Sequence, residues 1–146
     1  VTVRKEFPED YIEIRGDEQQ LHQVFLNLVL NALDALRETE GGNLTVRVDY
    51  DRAHLRPHGQ LPFQETEVVR VSFSDTGCGM SPENLQRIFT PFFTTKPNGS
   101  GLGLSVVHGI ITEHGGEIDV DSVPGEGTTF TVTLPLSRSA SSVEDV

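Results

Sequence analysis

The sequence has a single cysteine, Cys78, so it holds neither an internal disulfide framework nor a cysteine zinc cluster. That scarcity fits a reducing compartment, and the cytoplasm is the expected location, whether or not a longer protein is membrane-anchored. Basic residues are few as well: 11 Lys and Arg stand against 22 Asp and Glu, a formal net charge of −11. The basic residues are scattered, and binding a phosphate backbone needs a basic face, so nucleic acid is excluded as a partner. No apolar run is long enough to cross a bilayer, and Val1 to Phe7 lacks the basic start and apolar middle of a signal peptide. No direct membrane contact is expected. What is present, in 146 residues that are 36% hydrophobic and 23% charged, is enough for one globular core, and the isolated domain is expected to be monomeric.

Val1 to Phe7 and Tyr11 to Arg15 read as short strands around a Pro8-Glu9-Asp10 turn. Asp17 then caps a helix running to about Thr39, stopped by Gly41-Gly42. Leu44 to Tyr50 and Val68 to Ser74 alternate as paired strands, leaving residues 51–67 as an unusually long loop. Ser81-Pro82-Glu83 opens a short helix ending near Phe89, and a second apolar helix runs from Gly101 to His114. Glu117 to Asp121 and Thr128 to Leu134 form a hairpin around Pro124-Gly125-Glu126-Gly127. The interspersed pattern predicts an α/β two-layer sandwich, a mixed β-sheet with helices on one face. Residues 1–136 are expected to form the domain and 137–146 a flexible tail.

On a helical wheel Gln20, Gln23, Asn27, Asn31 and Asp34 fall on one narrow stripe, and most of the remaining circumference is apolar, so this helix is expected to be buried on nearly every side. A stripe facing water is the ordinary explanation, but such faces are built from Lys, Glu and Arg. Asparagine costs a helix roughly half a kcal/mol relative to alanine. An amide oxygen is a neutral hard ligand that can hold Mg²⁺ without repelling a nearby triphosphate, a role that suits Asn31 with Asn27 one turn away.

The strand containing Val69, Val71 and Phe73 runs into Asp75-Thr76-Gly77-Cys78-Gly79-Met80. An ionised aspartate only accepts hydrogen bonds, so Asp75 can receive the exocyclic amine of adenine and would repel the carbonyl that guanine carries there. Gly77 and Gly79 would let the backbone turn tightly and approach a flat base. A turn in which the aspartate bonds its own backbone is the alternative. Asp-Thr-Gly also occurs in aspartic proteases, but those are almost all β, and two long segments here are apolar helices. Downstream, Gly99-Ser100-Gly101-Leu102-Gly103-Leu104 opens a helix, where free N–H groups and the helix dipole bind phosphate. No Walker lysine follows, and Pro91 and Pro97 interrupt any strand a Rossmann motif would need. Lys96, beside Thr94 and Thr95, stands ready to meet an outer phosphate.

Taken together and in this order, these segments resemble the catalytic and ATP-binding domain of bacterial sensor histidine kinases, within the GHKL superfamily. Gln23 to Ala32 looks like the family's N box, Asp75 to Met80 like G1, Ile88 to Phe93 like the F box, Gly99 to Leu104 like G2, and Gly125 to Thr128 like G3. The resemblance spans about Phe7 to Leu136 and implies a Bergerat fold, a mixed sheet backed by three helices. It implies Mg²⁺ on Asn31 with Asn27 as its polar neighbour, adenine on Asp75, a water-mediated base contact at Thr128, and phosphates on Gly99, Gly101 and Gly103. Thr94-Thr95-Lys96 looks most like the nitrogen-regulation type. Many members carry a lysine where this chain has Asp34, so Lys96 is expected to substitute for it.

The resemblance implies Mg-ATP as the cofactor and transfer of the γ-phosphate to a histidine on the protein's own dimerisation domain, with a response regulator downstream. The five histidines here read as structural or surface residues. Two alternatives remain: a GHKL ATPase that uses hydrolysis as a conformational switch, and a catalytically silent nucleotide-binding regulator. Gyrase-type and mismatch-repair relatives resemble one another in a water-activating glutamate at position 27, and Asn27 is an amide with no basic site.

Overall fold

The computed structural model describes residues 1–9, 13–55, 64–94 and 103–136, apart from the side chains of 53–55 and 64–65. In chain order the elements are β1 (Thr2–Glu6), α1 (Glu18–Glu38), β2 (Asn43–Leu55), β3 (Gln64–Asp75), α2 (Pro82–Leu85), α3 (Gly103–Glu113), β4 (Glu117–Val123) and β5 (Gly127–Pro135). They build one five-stranded sheet in the order β1-β2-β3-β5-β4. β1 runs parallel to β2 and every other pair is antiparallel, so the sheet is mixed.

Register explains why one face of the sheet takes helices. Val46, Phe73, Phe130 and Val120 stand side by side across β2, β3, β5 and β4, and Val48, Val71, Val132 and Ile118 form the next such row. Period-2 alternation puts both rows on one face. The intervening row, Arg47, Ser72, Thr131 and Asp119, puts polar groups on the other face. The apolar face packs against Leu21, Val24 and Leu28 of α1 and Val107, Ile110 and Ile111 of α3 in one core. Fully burying side chains of this size contributes about 1.5–3 kcal/mol each.

Helix α1 starts where the sequence predicts: the Asp17 carboxylate accepts the Gln20 N–H at 2.9 Å. It ends at Thr39, and Gly41 N–H returns to the Leu36 carbonyl at 2.9 Å. Its buried residues Leu21, Val24, Leu28, Ala32 and Leu36 lie on a single face. Burial on nearly every side is therefore a misreading, since Leu26 and Leu30 remain 49% and 46% exposed. Helix α3 adjoins only one side of α1, and the sheet takes another.

Three further expectations need correction. Residues 51–55 and 64–67 are strand, so β2 and β3 continue well past Tyr50 and Val68, pairing as far as Leu55 with Gln64. This extension is laced with charge, Arg70 bonding Asp51 and Arg52 approaching Glu67 at 4.0 Å. Glu13, Ile14 and Arg15 form no strand; Ile14 packs on the core as part of a connection, and Tyr11 lies outside the described residues, as does the 137–146 tail. The short second helix is capped by the Ser81 hydroxyl, which accepts the Asn84 N–H at 3.2 Å, but its helical part stops at Leu85 and turns carry the chain through Phe89.

Candidate nucleotide-binding site

The strand β3 delivers Asp75 to the end of the sheet, paired with Thr128 of β5 and Leu44 of β2. Its carboxylate accepts the Gly77 N–H at 2.9 Å, and the Thr128 backbone N–H lies near enough to favour its charged form. Burial pushes its pKa up, and these two backbone donors pull it only partly back. A buried carboxylate with donors on two sides is held in one orientation.

Helix α1 meets this strand end closely. A Cβ on Gly77 would lie 2.8 Å from the backbone carbon of Ala35 and 2.8 Å from its Cβ, so only glycine lets the loop lie against the helix here. Gly79 has φ +70°, and a Cβ there would lie 2.2 Å from the Val123 carbonyl oxygen. The sequence assigned both glycines to close approach of a base. The structure adds a packing requirement at both positions, since Gly77 contacts α1 and Gly79 contacts the turn between β4 and β5. Of the two, only Gly79 reaches the cavity described next.

Between α1, the end of β3, α2, α3 and β5 lies a cavity of about 350 Å³, within the range of small-molecule sites. Asn27, Asn31, Asp34, Asp75, Thr94, Gly103, Leu104 and Thr128 all line it, so the two amides of the helical stripe and the strand-end carboxylate share one space. Asn27 Oδ1 is 3.9 Å from where a Cβ on Gly103 would sit, which sets this amide against the first turn of α3. Thr95, Lys96, Gly99, Ser100, Gly101 and Leu102 lie outside the described residues. Thr94 and Gly103, which flank that stretch, are both on the cavity wall.

Sequence reasoning missed several wall residues. Glu38 extends the Asp34 side of α1 by one turn, an i, i+4 relation that could have revealed it. Asn84 carried no signal beyond its place in a capped turn. Leu30, Ile88, Phe93 and Phe130 give the cavity apolar surfaces, and Arg87 lies 4.8 Å from the Phe93 ring centroid. The Cys78 thiol donates to Glu38 Oε2 at 2.9 Å; that hydrogen bond first, then burial and the Glu38 charge, raises its pKa and keeps it protonated. Asp34 is paired with Arg37 at 3.2 Å.

Among the described wall residues three are carboxylates and none is Lys or Arg. Such a wall fits a triphosphate only when a cation accompanies it or the 95–102 segment neutralises it. The neutral amides of Asn27 and Asn31 are chemically suited to a hard divalent ion. Of the histidines, His114 is structural: Asp17 N–H donates to its Nε2 at 3.0 Å, which leaves Nδ1 to donate to the Ile110 carbonyl at 2.7 Å. His108 is exposed, its ring 5.3 Å from that of Phe89. His58 lies outside the described residues.

A mixed sheet covered by helices on one face, with a polar-ended cavity between helix and strand end, defines a nucleotide-binding class of ATPase-like domains. The chain belongs to the histidine kinase-, DNA gyrase B-, and HSP90-like ATPase family, whose model matches residues 16–138, and within it to the ATP-binding domains of sensor histidine kinases. It is 45% identical over 124 residues to the sensor histidine kinase ZraS of Klebsiella oxytoca, covering 85% of this chain and 24% of that protein. It is 38% identical over 141 residues to sporulation kinase E of Bacillus subtilis (strain 168), covering 96% of this chain and 17% of that protein. The chain thus spans a quarter or less of these curated relatives. Among solved structures, the nucleotide-free catalytic domain of histidine kinase ThkA superposes with a TM-score of 0.71 at 32% identity, covering 92% of this chain and 78% of that one. Full-length ShkA in complex with AMPPNP superposes with a TM-score of 0.67 at 29% identity, covering 92% and 25%. No helix among the described residues is long and apolar enough to cross a membrane.

Proposed function

We propose that this domain holds Mg-ATP in the cavity and presents the γ-phosphate to a histidine on the protein's own dimerisation domain, from which a response regulator receives it. The observation that carries this reading is the meeting of Asn27, Asn31, Asp75 and Thr128 on one cavity wall in a chain of this family. Asp75 accepts the exocyclic amine of adenine, and Thr128 stands beside it as a second polar contact to the base. Asn31, with Asn27 one turn away, holds Mg²⁺, which when bound offsets charge on the phosphate oxygens. Lys96 and the amides of Gly99, Gly101 and Gly103 bind the phosphates, and Thr94, Thr95, Ser100, Leu102 and Leu104 shape their surroundings. Asp34 takes no phosphate, and Lys96 serves in place of the lysine found there in many relatives. The Thr94-Thr95-Lys96 run supports the nitrogen-regulation subtype. The domain extends over residues 1–136.

In phosphoryl transfer the protein positions groups and stabilises charge, and does little covalent chemistry of its own. The γ-phosphoryl leaves the β-phosphate oxygen and bonds an imidazole nitrogen, and ADP departs. Asn27 cannot activate water as a carboxylate could, so hydrolysis stays slow and the γ-phosphate is kept for the histidine.

Titration calorimetry tests the reading. Mg-ATP is expected to bind at micromolar affinity, GTP much more weakly, and Asp75→Asn to lose ATP binding. Asn31→Ala is expected to abolish the Mg²⁺ dependence of nucleotide affinity. Equal affinity for GTP and ATP would remove Asp75 from its role, and an unchanged Mg²⁺ dependence would remove Asn31 from its own.

A further inference from the structure

We propose that Ser122 is a positioning residue that fixes the direction of the Thr128 hydroxyl proton, making Thr128 an acceptor-only group on the cavity wall and so sharpening the preference for a 6-amino over a 6-oxo purine. The proposal rests on the reading of Asp75 and Thr128 as the base-contacting pair.

Ser122 stands on β4 directly opposite Thr128 of β5, and Thr128 in turn stands opposite Asp75 of β3. Three groups meet the Ser122 hydroxyl. The Met80 N–H donates to its oxygen at 2.8 Å. The Gly127 carbonyl lies 3.1 Å away and can only accept. The Thr128 hydroxyl lies 2.7 Å away and could do either.

A serine hydroxyl has one proton and two lone pairs. Its proton goes to the Gly127 carbonyl, because any other direction would set a lone pair against that carbonyl oxygen. One lone pair receives Met80 N–H. The remaining lone pair can only be satisfied by the Thr128 proton. Thr128 has then spent its single donor on Ser122, and its two lone pairs are the only hydrogen-bonding capacity it can offer the cavity it lines.

The consequence lies in what the wall can accept. Asp75 and Thr128, opposite each other across β3 and β5, present adjacent acceptors and no side-chain donor. An amino group in direct contact finds partners there. A carbonyl oxygen in direct contact finds none. A threonine free to rotate its proton would offer that carbonyl a donor, so discrimination depends on Ser122 although Ser122 does not itself line the cavity.

Calorimetry on the whole chain with Mg-ATP and with Mg-inosine triphosphate provides the test. The two nucleotides differ in the 6-substituent and in the proton at N1. Ser122→Ala and Ser122→Cys are each expected to reduce the ATP-to-inosine-triphosphate preference by about fivefold, the discrimination one neutral hydrogen bond supplies. Ser122→Thr keeps a hydroxyl and is expected to keep the wild-type ratio. In a Thr128→Val background Ser122→Ala is expected to leave the ratio where Thr128→Val alone sets it. A merely structural role for Ser122 would weaken both nucleotides in parallel, and an unchanged ratio in the alanine and cysteine variants overturns the proposal. If that happens while Asp75→Asn loses ATP binding, the base-contact reading stands and only the relay falls. If Asp75→Asn binds ATP like the wild type, both fall.

Discussion

Asp75 illustrates how a binding group is maintained against stability. Its native pKa is raised by burial, so the folded protein binds the proton more tightly than the unfolded chain does. For a group with a raised native value, the stabilisation is complete below the unfolded pKa and is lost as pH rises through the native one. In the absence of nucleotide, the wild type is therefore expected to gain stability relative to Asp75→Asn as pH is lowered from neutral towards 4. Thermal unfolding of both proteins across that range checks it, and a difference that stays flat with pH would contradict it. The place of Asp75 at a strand end was readable from the sequence, because the alternation of Val69, Val71 and Phe73 runs straight into it. The packing of Gly77 on Ala35 was not, because a glycine in a turn has the same sequence appearance whatever backbone it lies against.

At the level of elements, the N-terminus of α1 and the C-terminus of α3 are tied together by one imidazole. Both His114 nitrogens are used, one by Asp17 N–H and one by the Ile110 carbonyl. His114→Ala is expected to destabilise the fold by about 1–3 kcal/mol, because it removes both hydrogen bonds and the packing against Gly16. Asp17→Ala, which removes only the cap, is expected to cost about 1 kcal/mol. Urea titration measures both, with Mg-ATP affinity little changed because neither residue lines the cavity. The extent of α1 was legible from its cap and its glycine stop. The length of the β2–β3 hairpin was not, because its outer part carries Asp51, Arg52, Glu67 and Arg70 and so lacks the apolar alternation that marks a half-buried strand. The exposure of Leu26 and Leu30 was hidden for the opposite reason: an apolar residue on a helix reads as core whichever way it faces, and Leu30 faces the cavity.

For the molecule as a whole, the acidic balance and the nucleotide reading are linked. A net charge of −11 and three carboxylates on the described cavity wall oppose a bare triphosphate. A ligand that binds only the folded state stabilises it by about 2.7 kcal/mol at a hundred times its Kd. Mg-ATP at that level is expected to raise the melting temperature by about 5–10 °C, given the size of the domain. ATP in excess chelator is expected to give a much smaller shift. Equal shifts with and without Mg²⁺ would mean that the chain neutralises the phosphates unaided. The fold class was accessible from sequence because helical and strand patterning alternate along the chain, and the stripe of α1 and the end of β3 were legible as two sides of one cavity.

The glycine-bearing segment after β3 is fastened to the β4–β5 turn by three close approaches: Gly125 N–H to the Cys78 carbonyl at 2.7 Å, Met80 N–H to Ser122 Oγ, and the tight passage of Gly79 beneath Val123. Two stretches more than forty positions apart in the chain thus behave as one piece of architecture. Their evolutionary histories should be yoked: lineages in which residues 77–80 have diverged are those in which residues 122–127 have diverged with them, and grafting either stretch alone onto a distant homologue should fail where grafting both succeeds.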